Sequence, residues 1–351
     1  MRSPASDTSE KWKIQFFYDK ADSTLEIRDL QCGSTTTCVA AGAIDDKKGH
    51  SKPVVVRTTD GGKTWNIIEA HEQPVSLFFL NATQGWMVTE KGLWGTLDSG
   101  ATWKKLEGKK GLLQAYFLDP MHGFVIGFPK AVYETRDGGD KLTLLPAAEK
   151  PATPKDDTVY ESISFLGQHG LIVGGTSRDS DDPVWLDPTK ARMRRQQRST
   201  LIALETNDGG TTWNAHTSLQ YGNLTQLALT KDGPALALFE YHDYYSLASR
   251  LYRVQFPAPP VAIYGERDRA VTDFALLADG QVILAAVEPP GASNQIPIPG
   301  KLKMLRSTDL KTWEEMPVDY RAVAQQASLA APDRQHLWVA TDTGMILTLE
   351  K

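Results

Sequence analysis

Short apolar runs alternate with polar turns along almost the whole chain, and this pattern predicts strands rather than helices. Seven apolar runs each open a unit in which a polar turn leads to a second apolar run, such as Gly85–Val88 or Gly123–Ile126. Since the chain has 351 residues, each unit takes about 50 residues, and the pattern favours an all-β protein built from repeats. The seven opening runs are Leu25–Leu30, Val75–Leu80, Leu112–Leu118, Val159–Leu166, Leu224–Thr230, Val271–Leu277 and Ala322–Leu329.

An octapeptide of the pattern Ser/Thr-x-Asp-x-Gly-x-Thr-Trp recurs within these units. Clear copies are Thr58–Trp65, Thr96–Trp103 and Thr206–Trp213, with a shortened copy at Ser307–Trp313 and a decayed copy at Thr135–Leu142. An Asp carboxylate can accept hydrogen bonds from the backbone just after it, and Gly supplies the positive φ that a hairpin needs. These side chains are therefore predicted to hold turns together rather than to catalyse. They are Asp60, Asp98, Asp137, Asp208 and Asp309, with Trp65, Trp103, Trp213 and Trp313.

This octapeptide is the Asp-box of the bacterial-neuraminidase-type repeat, which the sialidase superfamily shares. The chain resembles the seven-bladed Asp-box propellers grouped with photosystem II stability and assembly factors. The resemblance implies an all-β, seven-bladed β-propeller of four-stranded antiparallel blades that occupies residues 1–351 as a single domain. The seventh unit has only three strands, so Trp12–Tyr18 is expected to supply the fourth and close the ring. The expected blades are 24–69, 74–106, 111–145, 158–217, 223–264, 270–316, and 322–349 with 12–18.

Members of this group are mostly non-catalytic and bind proteins or cofactors on one face, so the resemblance implies an exported bacterial scaffold for protein binding or assembly. Sialidases share the box, but their Phe/Tyr-Arg-Ile-Pro motif does not occur in this sequence. Their ring also has six blades rather than seven. A glycan-active enzyme, either a glycoside hydrolase or a lyase, stays open as the alternative.

Four polar segments that follow second strands are expected to share one face, opposite the Asp-boxes, where a rigid scaffold displays its loops. They are Ile44–Pro53, Thr176–Ser199, Glu240–Leu247 and Glu288–Lys301. Clustered arginines suit carboxylate or phosphate contacts and tyrosines suit recognition surfaces, although a solvated loop of self-compensating charge would look the same. The expected binding-face residues are Asp181, Asp182, Trp185, Arg192, Arg194, Arg195, Tyr241, Tyr244 and Tyr245. If the alternative held, the catalytic candidates would be Glu240, Tyr241, His242 and Asp243.

Composition narrows the class of partner. The net charge of -5, from 38 Lys+Arg and 43 Asp+Glu, gives no global basic field, so no nucleic acid is expected. No apolar run is long enough to cross a membrane. The scattered histidines form no array at ligand spacing, so we expect no metal and no cofactor. The partner should be another protein or a glycan, and the chain is expected to be monomeric.

The two cysteines bracket one short polar turn. Cys32 and Cys38 flank Gly33–Thr37, and a hairpin there would bring the two thiols close enough to bond. Two free thiols are the alternative. A disulfide would place the protein in an oxidising compartment, which for a bacterial protein is the periplasm or the exterior. The polar N-terminus shows no secretion signal.

Overall fold

Seven antiparallel sheets form a closed ring, which confirms the seven-bladed propeller that the sequence predicted. The structure, a computed structural model, describes residues 10–176, 198–241, 247–288 and 300–350. The first strand of the chain, β1 (Lys11–Phe17), belongs to the last blade, and every other blade takes its strands in chain order from the innermost to the outermost.

The first three blades follow one another without interruption. They comprise β2 (Ser23–Cys32), β3 (Cys38–Asp46), β4 (Ser51–Thr58) and β5 (Asn66–Glu69); β6 (Pro74–Phe79), β7 (Gly85–Thr89), β8 (Gly92–Thr96) and β9 (Lys104–Glu107); and β10 (Leu112–Phe117), β11 (Gly123–Gly127), β12 (Ala131–Thr135) and β13 (Thr143–Leu144).

Two 3-10 helices, Pro146–Glu149 and Lys155–Asp157, lead into the remaining blades. Blades 4 and 5 comprise β14 (Thr158–Leu166), β15 (His169–Thr176), β16 (Arg198–Thr206) and β17 (Asn214–Tyr221), then β18 (Asn223–Leu229), β19 (Ala235–Glu240), β20 (Ser249–Gln255) and β21 (Ala258–Tyr264). Blades 6 and 7 comprise β22 (Ala270–Leu276), β23 (Val282–Val287), β24 (Gly300–Ser307), β25 (Glu314–Met316) and the short β26 (Val323–Ala324), then β27 (Ala327–Ala330), β28 (Trp338–Thr341) and β29 (Met345–Glu350).

The N-terminal strand closes the ring as predicted. β1 pairs antiparallel with β29 and is the outermost strand of blade 7. Its Trp12 is fully buried in a cluster shared by blades 6 and 7. The backbone N–H of Trp12 donates to the carbonyl of Pro317 at 2.9 Å, so β1 also attaches to the chain that leaves blade 6.

Turns and blade connections lie on opposite faces of the ring. Turns between strands 1 and 2 and turns between strands 3 and 4 share one face, here called the turn face, because their backbones bond to each other: the N–H of Gly61 donates to Thr36 at 3.0 Å. Loops between strands 2 and 3 share the other face, the loop face, with the connections between blades. There the N–H of Glu90 donates to Gln73 at 3.1 Å.

Two local predictions from the sequence are wrong. An irregular loop was expected at Ile44–Pro53, but β3 and β4 continue through it, Ile44 pairs with Lys52, and only residues 47–50 form the turn. This end of the ladder is exposed and polar, so its strands lack the apolar alternation that predicts them. The innermost strand of blade 7 begins at Ala327 rather than Ala322, because Val323 and Ala324 pair with β24 instead.

The disulfide between Cys32 and Cys38 is present, as predicted, and ties the ends of β2 and β3 together. The hydrophobic core is divided into clusters between neighbouring blades, so each blade is stabilised by the next one around the ring. Within the described residues, no helix has the length and apolar character needed to span a membrane.

Candidate functional site

Four of the five aspartate turns of the turn face share one hydrogen-bonding scheme, and in blade 3 Lys141 replaces the final threonine and donates its backbone N–H to Asp137 Oδ1. In blade 1, Thr58 Oγ1 donates to Asp60 Oδ1 at 2.8 Å and accepts the N–H of Gly62 at 2.9 Å. Thr64 donates its N–H to Oδ1 at 2.9 Å and its hydroxyl to Oδ2 at 2.6 Å. These bonds, led by the Thr64 hydroxyl, lower the pKa of Asp60 to about 2. Both carboxylate oxygens are thus engaged within the turn.

The residues that follow these turns pack against the preceding blade. Trp213 lies edge-on to Phe124 of blade 3, at a centroid distance of 5.4 Å, and its indole N–H donates to Gly210 at 2.9 Å. Trp313 contacts Tyr264 of blade 5 at 5.0 Å. In the decayed copy, Leu142 is buried in a cluster that contains residues of blade 2. The turns therefore join neighbouring blades as well as neighbouring strands.

Blade 5 has no aspartate turn, and an aromatic side chain makes the contact in its place. Phe256, in the turn between β20 and β21, stacks on His216 of blade 4 at a centroid distance of 5.5 Å. His216 and His169 each bond a different oxygen of Glu205, at 3.1 and 3.0 Å. This cluster is held by its own internal bonds at the junction of blades 4 and 5.

Side chains of the innermost strands form a complete ring of hydrogen bonds from blade to blade, here called the inner belt. Its seven links are Asp29 to the N–H of Leu77 (2.6 Å), Ser76 to the carbonyl of Leu113 (2.6 Å), Gln114 to the N–H of Ile163 (3.0 Å), Ser164 to the N–H of Leu229 (3.2 Å), Gln226 to the N–H and carbonyl of Phe274 (2.9 and 2.8 Å), Asp273 to the N–H of Leu329 (2.6 Å), and Ser328 to the carbonyl of Arg28 (3.2 Å). Because every innermost strand is bonded to the next, the belt fixes the spacing of the blades around the ring.

Two members of the inner belt are carboxylates, and a third carboxylate lies on another innermost strand. Burial raises the pKa of Asp29 to about 6 and that of Asp273 to about 7. Burial also raises the pKa of Glu161, in innermost strand β14, to about 7. Glu161 has neither an ion-pair nor a hydrogen-bond partner in the part of the chain that the structure describes. Sequence reasoning missed these groups, although acidic residues inside the apolar runs Leu25–Leu30 and Val271–Leu277 were a visible signal.

The structure describes only two of the residues proposed for binding or catalysis. Tyr241 is buried in a hydrophobic cluster, and its hydroxyl lies 2.5 Å from that of Tyr252. Glu240 ends β19 and lies opposite Ser249 in the ladder. The other proposed residues lie outside the described residues: Asp181, Asp182, Trp185, Arg192, Arg194, Arg195, His242, Asp243, Tyr244 and Tyr245.

A groove of about 330 Å³ lies toward the loop face between β24 and the chain that runs from blade 6 to blade 7. Its apolar floor includes the buried side chains of Leu302 and Met316. Lys301 and Tyr320 stand at its rim, and 84% of the Tyr320 surface is exposed. The groove arises where residues 317–322 leave the edge of β24, a feature with no signature in the sequence.

Comparisons with known proteins agree with this architecture. A protein-family model described as photosynthesis system II assembly factor YCF48 matches residues 103–177. The solved structure of YCF48 bound to D1 peptide is 16% identical, with a TM-score of 0.59 over 97% of this chain and 95% of that chain. YCF48 from Cyanidioschyzon merolae is 16% identical, with a TM-score of 0.60 over 97% and 98% of the two chains.

A third solved structure shows the same fold inside a longer protein. The extracellular domain of the system BT4673 from B. thetaiotaomicron is 13% identical, with a TM-score of 0.56, and the match covers 96% of this chain but 39% of that one. No curated protein matches the sequence. At such identities the similarity to solved structures is one of fold. The family model matches the sequence of blade 3 and of parts of blades 2 and 4. The chain is therefore a seven-bladed propeller of the bacterial-neuraminidase-repeat type that is similar to the photosystem II assembly-factor group.

Proposed function

We propose that this protein is a non-catalytic propeller that binds a protein partner on its loop face. The observation that carries the proposal is the difference between the two faces. On the turn face, the carboxylates and hydroxyls of the aspartate turns are bonded within the turns, which leaves few polar groups for a ligand. A similar propeller, YCF48, has been solved bound to a D1 peptide, which supports the class of partner.

The loop face carries the groove and the ends of the three long segments that the sequence assigned to binding. Each segment joins a second strand to a third strand. The described residues that flank the three segments are Thr176 and Arg198, Tyr241 and Leu247, and Glu288 and Gly300. Function on propellers and other rigid scaffolds concentrates in such loops. The partner-binding residues we propose there are Asp181, Asp182, Trp185, Arg192, Arg194, Arg195, Tyr244 and Tyr245.

The disulfide supports an exported protein. Cys32 and Cys38 are bonded, and disulfides persist mainly in oxidising compartments. We propose the periplasm or the exterior of a bacterial cell, where the propeller acts as a monomeric scaffold. Mass measurement of the native protein purified under non-reducing conditions tests both the bond and the monomer.

Quantitative partner capture tests the proposed face. Purified propeller is cross-linked in a native extract, and captured proteins are compared with those of a variant that combines Arg194→Ala, Arg195→Ala, Tyr244→Ala and Tyr245→Ala. The matched control carries Lys63→Ala and Lys311→Ala on the turn face. We expect the first variant to lose its specific partner with an unchanged melting temperature, while the control keeps that partner. Equal capture by both variants would remove the proposal.

The glycan-active alternative is tested on the same proteins. A panel of fluorogenic sialosides and polysaccharides should give no turnover. Turnover that disappears in Glu240→Gln or in a variant of His242 or Asp243 would replace the binding proposal with a hydrolase or lyase.

A further inference from the structure

We propose that the groove beside β24 is a subsite for an extended peptide that carries an aliphatic side chain next to an acidic one. This inference rests on the proposed function, because it names the chemistry of a partner segment on the loop face. The groove consists of Lys301–Lys303 on β24, Glu315 and Met316 on β25, and the wall formed by residues 317–322.

The floor of the groove suits one aliphatic side chain. Leu302, Met316 and Ala322 are each at most 3% exposed, and they form an apolar surface at the bottom of a concave site. Burying a Leu or Val side chain there would remove apolar area from water on both partners. A volume of about 330 Å³ fits a side chain and its backbone rather than a folded domain.

The outer wall is rigid before any ligand arrives. The carbonyl of Pro317 accepts the N–H of Trp12, and the N–H of Asp319 donates to the carbonyl of Trp12, both at 2.9 Å. Arg321 grips the Asp319 carboxylate through two nitrogens, at 3.0 and 2.8 Å. The N–H of Leu302 donates to Ala322 at 3.0 Å and fastens the end of the wall to β24. A preformed wall lowers the entropy that a ligand loses on binding.

The opposite side is fixed by ion pairs. Lys303 pairs with Glu315 at 3.3 Å, and Arg269 donates to the same Glu315 carboxylate at 2.5 Å. The carboxylates at the groove, Glu315 and Asp319, are thus each bonded to a cation of this chain. Lys301 has no such carboxylate partner within the described residues.

The rim therefore offers an exposed aromatic ring and a cation that forms no ion pair with the described residues. Glu288 lies opposite Lys301 in the ladder but pairs with Lys303 at 4.0 Å, so the Lys301 ammonium group can still attract an anion. Tyr320, which is 84% exposed beside an apolar pocket, has the character of an interface residue. A side chain in the groove would pack against the Tyr320 ring, while an adjacent Asp or Glu would reach Lys301. Charge complementarity thus selects an acidic peptide rather than a basic one.

Selection from a phage-displayed library of random dodecapeptides tests this subsite. The library is panned on the folded wild-type protein after depletion on the Lys301→Glu, Tyr320→Ala double variant. We expect enrichment of sequences with Leu, Ile, Val or Met within two positions of Asp or Glu. Failure to enrich any motif, or enrichment of basic peptides, would overturn the subsite.

Anisotropy titration of a synthetic peptide from the selection then assigns the two rim residues. Lys301→Glu and Tyr320→Ala should each weaken binding about tenfold or more. The controls Lys311→Glu and Leu97→Ala, on exposed turn-face positions, should leave binding within about twofold of wild type. Equal weakening by a control and its groove counterpart would contradict the assignment. If partner capture depends on the loop-face residues but no peptide binds the groove, only the subsite is wrong. If peptides bind the groove but partner capture is unaffected by the loop-face substitutions, the proposed function is wrong instead.

Discussion

The carboxylate of Asp273 in blade 6 accepts the backbone N–H of Leu329 in blade 7 at 2.6 Å. The same carboxylate accepts the N–H of Phe274 through its other oxygen at 2.7 Å. Asp29 repeats this arrangement between blades 1 and 2, with Leu77 as the neighbour's donor. Blade 7, which joins the two ends of the chain, is therefore next to both of the blades that carry an ionisable inner-belt residue.

Stability should fall as pH rises through the range in which these two carboxyls ionise. Their folded-state pKa values, about 6 for Asp29 and about 7 for Asp273, lie above the value near 3.8 of an unfolded Asp. Above about pH 4 the folded protein thus holds protons that the unfolded chain has released, so this contribution to stability is complete below about pH 4, decreases above it and is lost as pH rises through 6 to 7. The expected loss is on the order of a few kcal/mol for the pair. Denaturant unfolding at steps between pH 5 and 8 measures it.

The double variant Asp29→Asn, Asp273→Asn should flatten this pH dependence. An amide keeps one acceptor oxygen but puts N–H donors where the other oxygen stood, so the variant should also be less stable at pH 5. The exposed Asp268→Asn is the matched control and should keep the wild-type slope. A slope that is the same in all three proteins would show that the inner-belt carboxyls do not titrate in this range.

The aspartate turns should respond to pH with the opposite sign. Hydrogen bonds donated by the Thr212 hydroxyl and N–H lower the pKa of Asp208 to about 2, below the unfolded value. The contribution of Asp208 to stability is therefore present above about pH 4 and lost as pH falls through 2. Asp208→Ala should lower the melting temperature at pH 7 and weaken the acid dependence below pH 4. The neighbouring Asn207→Ala, scanned by calorimetry in parallel, should change neither. If Asp208→Ala still loses stability below pH 4 as the wild type does, other groups cause that loss.

The ring could be predicted from the sequence because its signals are local and repeated. The octapeptide Thr58–Trp65 contains the residues that form its own turn, so the turn can be predicted from it. The sequence also assigned β1 to blade 7, because the last unit lacked a strand. The inner belt could not be predicted, because each link depends on one side chain meeting the backbone of the next blade. The groove forms because residues 317–322 leave β24, and no periodic pattern in the sequence predicts that departure. The residues proposed for partner binding remain predictions, and one of them, Tyr241, is buried in the structure.

The decayed turn of blade 3 shows how a neighbouring blade can replace a missing residue. Leu142 stands where other copies have Trp, and Trp86 of blade 2 donates its indole N–H to Gly138 of that turn at 2.8 Å. Trp86 also stacks on Phe117 at 3.6 Å, so the space around Leu142 is already filled. Leu142→Trp should therefore destabilise the protein by about 1–3 kcal/mol through overpacking rather than restore the repeat.

Removal of the Trp86 indole should also destabilise the blade 3 turn. Trp86→Phe loses the bond to Gly138 and part of the stack, so we expect a loss of about 1–3 kcal/mol in denaturant unfolding. Adding Leu142→Trp to Trp86→Phe should recover part of this loss, because the new indole then has room. Additive losses in the double variant would mean that the two side chains do not share one site.

Lys130 should be required for the connection between blades 3 and 4. Its side chain is buried, and Nζ donates to the carbonyls of Pro151 at 2.7 Å and Thr153 at 3.0 Å. Lys130→Met keeps the aliphatic stem but leaves two carbonyls without that donor, so the free energy of unfolding should fall by about 2–4 kcal/mol. Lys141→Met, at an exposed turn position whose backbone N–H makes the turn bond, should cost less than about 0.5 kcal/mol. Similar losses in the two variants would show that the Lys130 hydrogen bonds do not hold this connection.

Closure of the ring by β1 and the shape of the groove should fail together. Deletion of residues 1–20 removes the outer partner of β29 and the fully buried Trp12, so an apolar edge is exposed and the protein should aggregate. Deletion of residues 1–9 keeps β1 and should leave a monomer with a wild-type melting temperature by light scattering and calorimetry. Trp12→Ala is the milder test and should cost about 3–5 kcal/mol. Because the Trp12 ring packs in the same cluster as Leu302 and Met316 of the groove floor, its removal should also weaken peptide binding in the groove. A folded Trp12→Ala protein with wild-type peptide affinity would show that the groove does not depend on the Trp12 side chain. A deletion of residues 1–20 that stays monomeric and equally stable would show that the ring closes without β1.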